Sequence, residues 1–315
     1  MSGLFKTVTR HSGKDGPMSI DLSAASAFMA THARVLDRRR YQNLLGERDP
    51  ESTLAALAAY RNPDGGFGWG LEPDLRATES QPGAALHAFE VFAEVADSVR
   101  SPQAVALCDW LASVTLPDGG LPFALPVTNP TGCAPFWANA DSTVSSLQIS
   151  AIVAENAHRV AVHDADVAAH PWLDRITEYC LSAIANLGPQ PHALVLAFAA
   201  RFLDAACKTR PEAAELLDSL RIHVPANGLL HVEGGSPDEM MRPLDFAPLP
   251  GGPARRLFEP DVVDAELHRL ANGQQPDGGW SVDFASYSPA AGLEWRGYHT
   301  VHALWILKEN GLLDG

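Results

Sequence analysis

The chain has 315 residues, enough for one large domain or two small ones, and no shift in composition along it marks a domain boundary. Hydrophobic residues make up 46 % and charged residues 19 %, which argues against a disordered chain. The formal net charge of -15 argues against a protein that coats nucleic acid or an anionic membrane surface.

The N-terminal segment and the cysteines are typical of a cytoplasmic protein. Residues 1–20 lack an apolar core of signal-peptide length, and we expect an extended arm there. No uninterrupted apolar run approaches the ~18 residues that a transmembrane helix needs. Cys108, Cys133, Cys180 and Cys207 are scattered through apolar segments without C-x-x-C pairs, so we expect buried free thiols in a reducing compartment.

Apolar residues recur at i, i+3, i+4 and i+7 along most of the chain, which predicts a succession of amphipathic helices. The first is predicted over "LSAASAFMATHARVLDRRRYQNLLG", and two kinds alternate after it. One kind often opens with proline, which suits a first helical turn, as in "PESTLAALAAYRN", "SPQAVALCDWLASV", "PWLDRITEYCLSAIAN", "RPEAAELLDSLR" and "PDVVDAELHRLAN". The other is more apolar, as in "QPGAALHAFEVFAEVA", "DSTVSSLQISAIVAENA", "PHALVLAFAARFLDAA" and "YHTVHALWILKENG".

A repeated turn separates the members of these helix pairs. "RNPDGGFGWG" begins at Arg61, "TLPDGGLPFALP" at Thr115 and "QQPDGGWSVDF" at Gln274, with a weaker copy, "PANGLLHVEGG", at Pro225. Asp64 and Asp118, in the first two copies, are 54 residues apart. A period of this size is typical of a helical-repeat architecture. We therefore predict an all-α protein: a single domain, 1–315, in which five to six helical hairpins close into an α/α toroid, or barrel.

Residues 231–259 interrupt the repeat. The stretch "HVEGGSPDEMMRPLDFAPLPGGPARRLFE" is rich in proline and glycine and cannot form one regular helix. Long irregular segments within compact domains are often functional. We expect a lid or cavity wall here, and Asp245 is its candidate substrate-binding residue.

Two segments near the C-terminus resemble the terpenoid cyclase and protein prenyltransferase β-subunit superfamily. "LANGQQPDGGWSVDF" resembles the QW repeat of squalene–hopene cyclases, roughly Q-x-x-D-G-G-W, and "EWRGYHTVHALWIL" resembles the helix that follows the last such repeat. The resemblance implies an α/α toroid and a small hydrophobic, isoprenoid substrate. The repeat pattern spans most of the chain, but only the last ~45 residues match closely, so the resemblance is more specific for fold than for function.

A class II terpene cyclase protonates an alkene with the middle aspartate of D-x-D-D-T, and "FWANADSTVSSL" is similar to the segment that carries it. Asp141 matches the middle aspartate and Thr143 the threonine, whereas Asn139 and Ser142 replace the outer acids. The resemblance implies that Asp141 is the catalytic acid and that Asn139 shapes its hydrogen bonding. The alternative is that Asp141 only caps a helix, since aspartate is a favoured N-cap.

Prenyltransferases bind zinc with D-x-C and the histidine of Y-H-T. His299 matches that histidine, but Thr143 stands where the ligand cysteine would be. We therefore expect no zinc and no other cofactor, although Mg²⁺ could accompany a diphosphate substrate. Arg38–Arg40 and Arg255–Arg256 are the basic clusters that could hold a diphosphate, and a solvated helix end explains the first equally well.

The remaining substrate-binding candidates lie beside the turns or at the starts of the more apolar helices. Aromatic rings can stabilise carbocations in a cyclase, but rings at such places can equally pack the corners. Asp74, in "GWGLEPDLRATESQP", either lines the cavity or belongs to a solvated loop, and His299 is either a ligand contact or a hydrogen-bonded core residue. These candidates are Trp69, Asp74, Phe136, Trp137, Trp295, Tyr298 and His299.

Three functions are open at this point. The first is a class II-like terpene or isoprenoid cyclase with an aspartic acid in an apolar, aromatic-lined cavity. The second is a non-catalytic toroid that binds an isoprenoid or lipid. The third is a different enzyme on this fold, of the carbohydrate-active type, which would pair two carboxylates across a cleft. Because class II cyclases build the cavity between two helical domains, a homo-oligomer could supply the second wall.

Overall fold

The computed structural model describes residues 20–47 and 49–313, so all but the last residue of the expected N-terminal arm, 1–20, lies outside the described residues. The described part is mostly helical and contains one small sheet, which confirms the all-α class. The helices are α1 (Leu22–His32), α2 (Val35–Leu44), α3 (Pro50–Ala58), α4 (Pro82–Val95), α5 (Pro102–Val114), α6 (Pro135–Ala138), α7 (Leu147–Ala161), α8 (Ala165–Ala168), α9 (Pro171–Ala185), α10 (Ala193–Ala206), α11 (Glu212–Ser219), α12 (Pro243–Phe246), α13 (Pro260–Ala271) and α14 (Pro289–Glu309).

Proline and short polar residues begin many of these helices, as the sequence predicts. Ser101 and Ser288 cap α5 and α14 with their hydroxyls, and each of these helices has proline in its first turn. The first predicted helix is wrong in one respect, because it is divided into α1 and α2. Ala33, between them, is extended, and the Arg34 guanidinium bonds to Asp37 and to the Leu71 carbonyl.

Contacts between helices follow the chain and then return to its beginning. In order, α2 packs on α3, α3 on α4, α4 on α7, α7 on α10 and α10 on α12. Next, α12 packs on α13, α13 on α14, and α14 on both α1 and α2. The C-terminal helix thus lies against the first helices of the described chain.

The P-D-G-G turns share one local structure. The first glycine of the turn has φ of 94° in the first copy, 96° in the second and 94° in the last, a region that favours glycine. In the first two copies the aspartate accepts a hydrogen bond from a serine near the next long helix: Ser80 Oγ donates to Asp64 at 2.8 Å, and Ser145 Oγ to Asp118 at 2.6 Å. The repeat seen in the sequence is therefore a repeat of structure.

Each of these corners also abuts a helix of a neighbouring helix pair. A Cβ on Gly65 would lie 3.0 Å from the Ala106 carbonyl oxygen of α5. The last corner packs in the same way on α1, the first described helix, because a Cβ on Gly278 would collide with the Ala24 carbonyl oxygen. Gln274 and Asp21 exchange two hydrogen bonds, each of 2.9 Å, across the same junction. The corner motif thus joins α1 to the turn between α13 and α14.

The irregularity expected for 231–259 is confirmed. A two-stranded antiparallel sheet pairs β1 (Leu230–His231) with β2 (Met240–Met241), and α12 follows directly. A 3₁₀ turn over Pro253–Leu257 leads into α13. Another 3₁₀ turn, Leu220–His223, extends α11.

Within residues 20–47 and 49–313, no helix has both the length and the apolar character to cross a membrane. All four cysteines are free. Cys108 and Cys180 are buried, as expected, whereas Cys133 and Cys207 are half-buried. Burial raises the pKa of Cys108 to about 12, so its thiol is protonated at neutral pH and a poor nucleophile.

Candidate functional site

Asp141 lies in an exposed loop before α7. Its Oδ1 accepts hydrogen bonds from the Thr143 hydroxyl at 2.6 Å and from the Thr143 backbone N–H at 2.9 Å. These bonds lower the pKa of Asp141, so the group is an ionised, solvated carboxylate at neutral pH. An acid that protonates an alkene needs the opposite environment, a neutral carboxyl kept away from water.

The helix that Asp141 was expected to cap begins later. Ser146 is the N-cap of α7, and its hydroxyl accepts from the Ile149 N–H, so the N-cap interpretation of Asp141 is wrong. Asn139 is exposed at the end of α6, where its backbone N–H bonds to the Pro135 carbonyl. No hydrogen bond joins Asn139 to Asp141 in the described part of the chain.

Asp74 has the environment that Asp141 lacks. It is buried, with 3 % of its surface exposed. The Trp295 indole Nε1 donates to Asp74 Oδ2 at 2.7 Å, and the Tyr287 backbone N–H donates to Oδ1 at 3.0 Å. Burial raises the pKa of Asp74, which these two hydrogen bonds partly oppose. Asp74 is thus a desolvated carboxyl that links the segment after the first turn to the start of α14.

A group of four rings lies next to this carboxyl. Phe123 stacks on Trp137 at 4.3 Å between ring centroids, and Phe136 meets the Tyr287 ring edge-on at 5.5 Å. Phe136 is 50 % exposed and Tyr287 is 47 % exposed, although both are large apolar rings. We call Phe123, Phe136, Trp137 and Tyr287 the aromatic face. It lies beside the starts of α4 and α14, because Trp137 packs over Gly83 in the first turn of α4 and Tyr287 directly precedes α14.

Trp69 is also exposed, but a hydrogen bond to Asn62, in the same turn, fixes its side chain. It is 54 % exposed, and its φ of 58° is uncommon for a residue with a side chain. Its indole Nε1 donates to Asn62 Oδ1 at 2.7 Å. No ring contact joins Trp69 to the aromatic face within the described residues.

Behind the aromatic face lies a buried charge network centred on His87. His87 Nε2 is 2.9 Å from Glu72 Oε2, and Nδ1 is 3.0 Å from Glu90 Oε2. Burial alone would lower the pKa of His87, but the charges and hydrogen bonds of Glu90 and Glu72 outweigh it and raise the pKa to about 9. His87 is therefore an imidazolium at neutral pH, held between two carboxylates.

Arg40 and Tyr298 complete this network. Tyr298 donates its hydroxyl to Glu90 Oε1 at 2.8 Å, and Arg40 binds both oxygens of Glu94, with its guanidinium 5.1 Å above the Tyr298 ring. Burial alone would raise the pKa of Glu90, yet His87 and Arg40 outweigh that effect and hold it well below its usual range. We call Arg40, Glu72, His87, Glu90 and Tyr298 the charge network.

Asp245 and His299 belong to a different group, around Arg269. Asp245 is half-buried and accepts from the Arg242 backbone N–H at 2.7 Å. Burial, reinforced by the nearby Glu266 and Asp283, raises the pKa of Asp245 to about 6. Burial and the charge of Arg269 lower the pKa of His299 to about 4, so this histidine is neutral.

The structure thus brings together some of the residues singled out in the sequence and separates others. Asp74 and Trp295 are in direct contact, Tyr298 lies edge-on to Trp295 at 5.5 Å, and Phe136 reaches Asp74 through Tyr287. No hydrogen bond, ion pair or ring contact joins Asp141, Trp69 or Asp245 to this group in the part of the chain that the structure describes. The Asp74 segment is not a solvated loop, because Glu72 and Asp74 are both buried.

Several residues of the site were missed from sequence. Glu90 lies three residues after His87 in the apolar segment "PGAALHAFEVFAEV", and two polar residues at helical spacing on an apolar helix are a usable signal. Arg40 lies within Arg38–Arg40, which the sequence offered either as a cluster that could hold a diphosphate or as a solvated helix end. Tyr287 gave no signal, because its role depends on contacts made across the fold.

Among the described residues, no cluster of three or more His, Cys, Asp or Glu side chains could hold a metal ion.

No protein-family model matches the sequence, and no curated protein matches it either.

Proposed function

We propose that the helices close into the α/α toroid expected from the repeat. The order of helix contacts supports this, since it runs through the chain and returns from α14 to α1 and α2. The corner between α13 and α14 packs on α1 as the first corner packs on α5, which extends the repeat across the chain ends. The more apolar helices α4, α7, α10 and α14 would form the inner ring.

We propose further that the chain binds an isoprenoid or another elongated lipid chain at the aromatic face. The observation that carries this is the exposure of Phe136 and Tyr287, about half in each case, beside the desolvated carboxyl of Asp74. Exposed large rings that touch one another form an apolar patch, and such patches mark binding surfaces in soluble proteins. The ring faces would stack on the unsaturated chain of the ligand, and Asp74 would hold Tyr287 in place through its hydrogen bond to the Tyr287 backbone N–H.

This proposal assigns no proton transfer to Asp141. A carboxylate that faces water and is stabilised by two hydrogen bonds from Thr143 is a weak proton donor. We therefore propose ligand binding, with no catalytic step at Asp141, as the function.

The experiment is isothermal titration calorimetry with farnesol, an uncharged isoprenoid. Phe136→Ala should weaken binding about 10-fold, the loss of roughly 1.4 kcal/mol of contact. Ile222→Ala, which removes an apolar side chain that is 86 % exposed outside the aromatic face, is the matched control and should bind as wild type does. Equal affinities for wild type and Phe136→Ala would refute binding at the aromatic face.

A second candidate function is a proton-initiated cyclase that uses Asp74 as the acid. Its support is the raised pKa of Asp74 together with the contact between this carboxyl and the Trp295 indole. A buried carboxyl among aromatic rings is the pairing of acid and cation-stabilising faces that such chemistry needs. Incubation with geranylgeranyl diphosphate should then give a cyclic product with wild type and none with Asp74→Asn. Absence of product from wild type leaves binding as the function.

A further inference from the structure

A cavity lies between the C-terminal parts of α7, α10 and α14, and no residue of the aromatic face lines it. Trp305, in its wall, is ten residues further along α14 than Trp295, or about 15 Å along the helix axis. The cavity has a volume of about 80 Å³, roughly half that of a cavity known to hold benzene. It can therefore hold a group of a few non-hydrogen atoms.

Charged residues line this cavity, whereas the resemblance implies an apolar one. Arg159, Arg201 and Lys208 are cationic, and Glu155 and Asp204 oppose them. Glu155 is engaged by Arg201 Nη2 at 3.2 Å, and Asp204 Oδ1 accepts from the Ala254 backbone N–H at 2.6 Å. Both carboxylates thus have partners, and the cavity carries one more cation than anions.

The two arginines that line the cavity have N–H donors without a hydrogen-bond acceptor among the described residues. Arg201 is almost enclosed, with 11 % of its side chain exposed, yet its only hydrogen bond among the described residues is the one to Glu155. Its Nε is fully shielded and has no partner. An enclosed guanidinium with so few partners is unfavourable, and an acceptor in the cavity would pair with the Arg201 N–H groups that remain exposed there.

Arg159 also has fewer hydrogen-bond partners than donors among the described residues. Its Nη1 donates to Asn156 at 3.1 Å, and its guanidinium lies 5.2 Å above the Trp305 ring. In the described part of the chain its other N–H groups have no hydrogen-bond partner. Lys208, exposed at the rim, adds a third cation. His158 contributes no charge, because burial lowers its pKa to about 4. Its Nε2 forms a hydrogen bond with the Thr177 hydroxyl.

We propose that this cavity, here called the basic cavity, binds a small oxyanion: a phosphate or carboxylate group. The planar guanidinium groups of Arg201 and Arg159 would donate paired N–H bonds to its oxygens. Lys208 would attract the anion at the opening, and Trp305 would close one wall. This site is independent of lipid binding at the aromatic face, so either proposal can fail alone.

The test is calorimetric titration of the full chain with inorganic phosphate and, separately, with acetate, at constant ionic strength set with chloride. Phosphate should bind with a dissociation constant of about 1 mM or below. Tighter binding of acetate than of phosphate would identify the natural group as a carboxylate. No heat of binding with either anion would overturn the proposal.

Two variants locate the site. Arg201→Gln should weaken anion binding about 10-fold or more, since it removes the enclosed guanidinium. Arg159→Gln, at a half-buried position, provides the same test if Arg201→Gln fails to fold, and it should weaken binding by about 5-fold. Arg221→Gln, on an exposed arginine paired with Glu259, is the matched charge control and should leave binding unchanged. Equal weakening in Arg221→Gln would mean that net charge, and not the basic cavity, governs binding.

Discussion

Asp74 and Asp141 have the same side chain and opposite environments. Asp141 occupies the place that a catalytic-motif resemblance selects, yet it is exposed and its pKa is lowered by Thr143. Asp74 belongs to no motif, yet it is buried, bonded to Trp295, and has a raised pKa. The difference teaches that a short motif locates a residue in the chain, whereas its chemistry depends on the elements packed around it.

The charge network extends this comparison, because its carboxylates are buried and paired with cations. Glu90→Gln should produce the largest effect, a loss of about 3–5 kcal/mol in the free energy of unfolding, since it removes one partner of a buried ion pair. Urea denaturation measures this. Glu309→Gln, at an exposed position on α14, should change stability by less than about 0.5 kcal/mol. Similar small changes in both variants would mean that the network is not held together by charge.

His87 should make stability depend on pH. Its folded pKa of about 9 lies above the unfolded value of 6.5, so its contribution is complete below pH 6.5 and is lost as pH rises through 9. At 1.36 kcal/mol per pH unit, this corresponds to about 3 kcal/mol. The free energy of unfolding of wild type should therefore fall between pH 6.5 and 9, by that amount more than that of His87→Gln. Parallel pH profiles for the two proteins would show that His87 is not charged.

Asp74→Asn should lower stability by about 2 kcal/mol. The amide NH₂ of asparagine would face either the Trp295 N–H or the Tyr287 N–H, leaving one buried donor without an acceptor. The quantity to measure is the shift in the urea midpoint at pH 7. A midpoint equal to that of wild type would place Asp74 in solvent, as Asp141 is.

Asp141→Asn should have the smallest effect, within about 0.5 kcal/mol of wild type, because its side chain is exposed and bonds only to Thr143. The same urea titration serves as the measurement. A loss as large as that in Asp74→Asn would remove the contrast between the two aspartates.

The fold was more predictable from sequence than the site, for physical reasons. Helix periodicity and the P-D-G-G turns are local, so the longer helices from α3 onward and the repeated corners could be predicted, whereas the short helices α6, α8 and α12 were not. The division between α1 and α2 could not, because Arg34 is fixed by the Leu71 carbonyl in a distant segment. Trp295 was selected only as a candidate substrate-binding ring, and its hydrogen bond to Asp74 could not be predicted because it spans 221 positions in sequence.

Predicting the site from sequence also required telling buried polar residues from exposed ones, which look alike in sequence. Arg40 is buried over Tyr298, whereas Arg38 and Arg39 precede it in the same basic run. From sequence, Glu72 and Asp74 could belong either to a solvated loop or to the lining of a cavity. Their burial follows from the segments that cover them, and no local pattern encodes that packing.

Calorimetric measurement of farnesol affinity in Tyr287→Ala and Asp141→Asn distinguishes the aromatic face from the Asp141 loop as the binding site. If the aromatic face beside Asp74 is the binding site, Tyr287→Ala binds about 10-fold more weakly than wild type and Asp141→Asn binds as tightly. Loss of binding in Asp141→Asn, with full affinity in Tyr287→Ala, would contradict the account and return the site to the Asp141 loop.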